Sequence, residues 1–174
     1  MSKLFRTTLW ILSGIGLIAF LVQTLSTFLI SPMMGLLSLL IAAVLVALVI
    51  VLLQRSPMWA RPARLWALLA FLWGGGVAVS LALISAGPVM QLAIGTGWVD
   101  AMMSWSGAYP EEISKATGVI FVLMSFRQLN RPWHGWIVGA VVGLGFEACE
   151  NILYGAMGAT MHPDSDIQGL FEIW

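Results

Sequence analysis

The sequence predicts an all-α, polytopic helical integral-membrane protein. Three observations carry that prediction. Of 174 residues, 60% are hydrophobic and 9% are charged, with eight basic and eight acidic side chains. A soluble domain averages about 25% charged residues, so so few charges cannot cover a water-facing surface. The apolar residues fall in runs of roughly the 20 residues that cross a bilayer, and basic residues stand at the ends of these runs. This composition excludes a soluble globular domain, a disordered chain, a nucleic-acid binder with a basic face and a secreted disulfide scaffold. The lone cysteine, Cys149, has no partner in the chain and reads as a small packing residue in an apolar helix.

Five spans follow in order. The first, about 8–30, comes after the basic start Lys3 and Arg6. It is longer than a signal-peptide core of about 7–15 residues, and no small-x-small site closes it, so it reads as a retained span. The second, about 33–53, is separated from it only by Ser31-Pro32, which predicts a tight hairpin. A polar link with Pro57, Pro62 and the arginines 55, 61 and 64 leads to the third span, about 65–86, which contains Gly74-Gly75-Gly76. The link 88–107 is itself semi-apolar. Its Trp98, Met102, Met103 and Trp105 suggest an interfacial or re-entrant segment, lying in the interface or lining an opening. The fourth span is about 108–126 and the fifth about 134–157. Such runs must be helical, because lipid offers no partner to a free backbone group. Residues 1–174 read as a single helical transmembrane domain.

Orientation follows from Lys and Arg. With five helices, Lys3/Arg6, Arg55/Arg61/Arg64 and Arg127/Arg131 all fall on one side. The opposite side receives Asp100, Asp164, Asp166 and Glu172 and no basic residue. The expectation is an inner (plasma) membrane protein with a cytoplasmic N-terminus.

Acidic residues are absent before Asp100, and then four glutamates fall in or against apolar runs. Pro110 suits the first turn of the fourth span, and Glu111 and Glu112 behind it complement the helix dipole. Lys115 follows them by four and three residues, so it can pair with either on one face. Taken alone, that is an ordinary capped helix start. In the fifth span, Glu147 and Glu150 share a face that Asn151 and Tyr154 continue. A charge at mid-helix costs about 2.5–3.5 kcal/mol even on the lenient insertion scale, so this stripe implies a use. Glu111 lies 16 residues before Arg127, and Glu147 lies 16 residues after Arg131. At about 1.5 Å per residue, both stand roughly 24 Å from the basic end, and the two stripes are expected to meet. Carboxylates crowded in a low dielectric share protons. They suit a general base that activates water or a divalent-metal site with Glu112, Glu147 and Glu150 as candidate ligands. Gly135, Gly139 and Gly143 form a small-residue ribbon expected to bring helices close.

Tyr109-Pro110-Glu111-Glu112-x-x-Lys115 followed by Gly143-Leu144-Gly145-Phe146-Glu147-x-x-Glu150-Asn151-Ile152-Leu153-Tyr154 resembles the PrsW family of intramembrane proteases, which is related to the CAAX-processing and bacteriocin-processing membrane proteases. The resemblance covers about 50 residues, 108–157. It implies a membrane hydrolase, an endopeptidase that cleaves membrane-bound protein substrates; in the founding branch the substrate is an anti-sigma factor. By position, Glu111, Glu112, Glu147 and Glu150 would be catalytic, with Lys115, Asn151 and Tyr154 completing the polar site. The resemblance leaves open a metallo-type mechanism, with a divalent ion such as zinc, and a glutamic-type mechanism without metal. The family pattern continues with histidine-bearing motifs in later helices. Here the histidines are His134, read as interfacial at the basic end, and His162 in a polar tail. The ending at Trp174 reads as the approach to a further span. Two other readings stand beside the protease: a non-catalytic membrane scaffold of the same fold, and a proton- or ion-coupled carrier.

Overall fold

The computed structural model describes residues 3–62, 64–162 and 165–173, and among them every regular element is helical. Asp164 and Trp174, and the Arg64 side chain, lie outside this description. Helix α1 (Lys3–Ile30) and α2 (Pro32–Arg55) form the expected hairpin. Ser31 is extended (φ −147°) and Pro32 opens α2, where its missing N–H is one that no helical carbonyl would have taken. Leu17, Ile18, Leu21, Leu40, Val44 and Leu48 of this hairpin are exposed. On a water-facing surface such a continuous apolar face would be anomalous; facing lipid, it is the expected exterior.

The third span is a continuous rod, Leu65–Gly95, of 31 residues. It comprises α3 (Arg64–Leu72), a π-helical segment (Trp73–Ala78) and α4 (Val79–Gly95). It therefore runs nine residues past the expected end at 86, straight through Pro88. Gly87-Pro88 signals a break in a soluble helix, but in lipid the alternative to helix is unsatisfied backbone, and a single proline is tolerated. The link is correspondingly shorter. Gly97 turns the chain at φ +79°, in the left-handed region that favours glycine, and a 3₁₀ turn (Val99–Ala101) and α5 (Met102–Ser106) follow.

Helix α6 (Ala108–Ser125) and α7 (Trp133–Met161) make the next hairpin, and α8 (Asp166–Ile173) folds back with Leu170 buried beside Met34 and Ala159. By length and composition, four helical stretches can cross a membrane: α1, α2, Leu65–Gly95 and α7. The fourth expected span is the 18-residue α6, which stands apart because Glu111, Glu112 and Lys115 lie within it.

The interior forms where the π segment meets α1, α6 and α7. All six residues Trp73–Ala78 are buried, together with Trp66, Phe146, Ile137, Val141 and Val142. The helices touch through glycine. A Cβ on Gly74 would strike the Val142 carbonyl, one on Gly145 the Phe71 carbonyl, and one on Gly76 the Gly16 carbonyl. Close approach thus falls to these glycines and not to the expected ribbon. Gly135 and Gly139 face Leu123 and Val119 of α6 at ordinary contact distances of 3.9 and 3.8 Å, and beside Gly143 nothing lies within 4 Å. The π segment is the reason: its wide turns present bare backbone to the other face of α7.

Candidate active site

The start of α6 is clamped to the π segment. The Trp73 indole N–H donates to the Ser114 carbonyl at 3.0 Å, lies where a Cβ of Gly118 would stand, and stacks on Phe121 at 5.2 Å between centroids. Ser114 directly precedes Lys115, so this contact sets the position of the acidic turn.

Lys115 donates to Glu112 Oε1 at 2.9 Å and lies 3.8 Å from Glu111 Oε2, while its ammonium sits 3.9 Å from the centroid of the Phe146 ring on α7. The carboxylates differ in exposure: the Glu111 side chain is 29% exposed and that of Glu112 72%. Glu111 is therefore the inner acid of the pair. The α6–α7 register follows from Gly135 facing Leu123 and Gly139 facing Val119.

On α7, Glu147 is exposed, and Glu150 and Asn151 are half-buried. Glu150 lies within electrostatic reach of Glu111, Glu147 and Lys115, and the exposed Tyr154 donates its hydroxyl to Glu150 Oε1 at 3.5 Å. Glu111, Lys115, Glu147 and Glu150 thus form one polar patch across the hairpin. The open space beside Gly143 adjoins it.

Behind the patch lies a contact that sequence reasoning missed. The Cys149 thiol donates to Gln23 Oε1 at 3.1 Å, and Gln23 Nε2 donates to Ser80 Oγ at 3.3 Å. This chain joins α7, α1 and the third span one residue from Glu150. A lone glutamine in an apolar span was the available signal, but nothing local marks its partner.

The histidines stand elsewhere. His134 is buried at the basic end: its Nδ1 accepts the Arg131 N–H at 3.0 Å and holds the α6–α7 turn. His162, past the end of α7, accepts the Ser165 N–H at 3.1 Å and lies 3.5 Å from Glu172 on α8. On the far side of α6, Leu81, Ser85, Val89, Trp105, Tyr109 and Ile113 line an apolar groove of about 570 Å³, to which the 88–107 segment contributes Val89 and Trp105.

Helices long and apolar enough to span a membrane, an interior built on glycine contacts and a partly exposed carboxylate patch on one hairpin describe a polytopic membrane protein. A family model described as PrsW family intramembrane metalloprotease matches residues 62–174, and the chain belongs to that family. No curated protein and no solved structure matches it. The match takes in α3 to α8 and omits the α1–α2 hairpin.

The family's description implies a metal. As arranged here, the residues do not fit one: among the described residues no three of His, Cys, Asp and Glu are grouped to hold an ion. Glu112, Glu147 and Glu150 form no such group. On the α6 side, Lys115 already pairs with Glu112 Oε1 at 2.9 Å and stands 3.8 Å from Glu111 Oε2.

Proposed function

We propose that this chain is an intramembrane endopeptidase that cleaves membrane-bound protein substrates with the α6–α7 carboxylates activating water. The observation that supports it best is the convergence of Glu111, Lys115, Glu147 and Glu150 at one level of the hairpin. In this reading one carboxylate of the Glu111–Glu150 pair takes a proton from water as its oxygen attacks the scissile carbonyl. The other carboxyl gives a proton to the departing amine as the C–N bond breaks. Lys115, held by Glu112, steadies the developing negative charge. Glu147 stands at the rim, and Asn151 and Tyr154 complete the polar wall. Chemistry at this depth suits a substrate peptide bond near the membrane surface, as in a membrane-tethered regulator of the anti-sigma-factor type. The reading takes residues 1–174 as one helical domain in the inner membrane, with the N-terminus cytoplasmic.

The test is cleavage of a membrane-tethered reporter by purified protein in liposomes. Glu111→Gln and Glu150→Gln are each expected to lower turnover by about 10²–10⁴-fold, the usual contribution of a general acid or base, with helical content retained. Unchanged turnover in both variants would sink the proposal. A non-catalytic scaffold is favoured by one observation, the distance of both histidines from the patch; it predicts no cleavage by the unmodified chain.

A further inference from the structure

The basic end of the bundle holds a cleft lined by cations. Lys3 and Arg6 on the first turns of α1 and Arg127 just after α6 converge on a cleft of about 460 Å³, walled by Trp10, Phe126 and Gln128. Residues more than a hundred positions apart in sequence thus bring three cations together. Among the described residues none of the three has a carboxylate partner; the ion pairs are those of Lys115 and His162, on other elements. Crowded like charges repel, and an uncompensated trio is stable only if an anion or salt screens it.

Three features say which anion. The cleft is bounded by the start of α1, the start of α3 at Leu65 and the end of α6, so it sits at helix ends, at headgroup depth. Its walls combine cations with the half-exposed aromatic Trp10, which suits the boundary between phosphate and acyl chain. Along α1 the face of Lys3, Arg6 and Trp10 continues into the exposed Leu17 and Leu21, which can carry acyl chains. An adjoining cleft shares Leu65, Phe126 and Gln128 with it and adds Arg61. We propose that this trough binds the phosphate headgroup of an anionic phospholipid. The site is independent of the α6–α7 carboxylates, which lie toward the other end of α6.

The experiment is native mass spectrometry of the full chain in an uncharged detergent, with phosphatidylglycerol or phosphatidylcholine added. Phosphatidylglycerol is expected to bind at least tenfold more tightly than phosphatidylcholine. At about 1 kcal/mol per basic residue, the double variant Arg6→Gln/Arg127→Gln is expected to lose about thirtyfold in affinity for it. Arg131→Gln, which removes a charge from the same end but outside the cleft, is expected to bind as the unmodified protein does. Should the double variant not fold, Arg127→Gln alone is expected to weaken binding, and Arg127→Lys to restore most of it. Millimolar inorganic phosphate is expected to leave the lipid bound. Equal binding of the two lipids, an Arg131→Gln loss as large as that of the cleft variants, or displacement by inorganic phosphate would each overturn the proposal.

Discussion

Lys115 is the side chain on which the two acidic stripes close. It holds Glu112 at 2.9 Å and Glu111 at 3.8 Å, and its charge rests on the Phe146 ring. Replacing it with methionine keeps the length and removes the cation. The ion pair with exposed Glu112 is screened, and the ring contact is modest, so the expected stability loss is about 1 kcal/mol or less. Cleavage is expected to fall at least tenfold, because the charge that steadies the reacting oxygen is gone. Cleavage of a tethered reporter beside a thermal melt checks both halves. The residues of this patch were legible in advance because their spacing on each helix places them on one face. Glu111 and Glu150 as the inner acids, with Glu112 and Glu147 outside, were not legible: relative exposure depends on the facing helix. Gln23 was illegible for the same reason, since its partners Cys149 and Ser80 are distant in sequence.

The element that organises the molecule is the π-helical turn Trp73–Ala78. Its glycines let α1 and α7 approach to backbone contact, and Trp73 reaches across to the Ser114 carbonyl. Two glycines of α7 separate packing from open space. Gly145→Ala pushes a methyl into the Phe71 carbonyl and is expected to destabilise by about 1–3 kcal/mol, the usual cost of overpacking. Gly143→Ala points into open space and is expected to change stability by about 0.5 kcal/mol or less. Unfolding midpoints in detergent separate the two, and equal effects would contradict the packing described. Hydropathy marked the Gly74-Gly75-Gly76 stretch only as part of a span. The π turn stayed hidden because a helix of either kind satisfies the backbone in lipid, and neighbouring helices decide between them. The same physics carried the third span through Pro88.

For the whole molecule, the charge distribution predicts one orientation. Lys3, Arg6, Arg55, Arg61, Arg127 and Arg131 stand at one end, where Phe5 meets Phe121 at 5.4 Å and Gln128 donates to the Pro62 carbonyl. Reporters fused ahead of Lys3 and inserted at Asn130 are expected to label from the cytoplasm, and one at Gly97 from the other side. Opposite labelling of the first two would refute the orientation. The N-terminal hairpin, outside the family match, is built into the same interior through Gly16 on Gly76 and Gln23 on Cys149. By itself the sequence determined the helical membrane class, the five apolar segments and the run of basic residues at one end, because these depend on hydropathy and position along the chain. Only the tertiary structure decided which glycines touch, which carboxylates face inward, and that among the described residues no three metal-binding side chains are grouped. Those outcomes depend on how helices rotate and separate against one another, which no local pattern encodes.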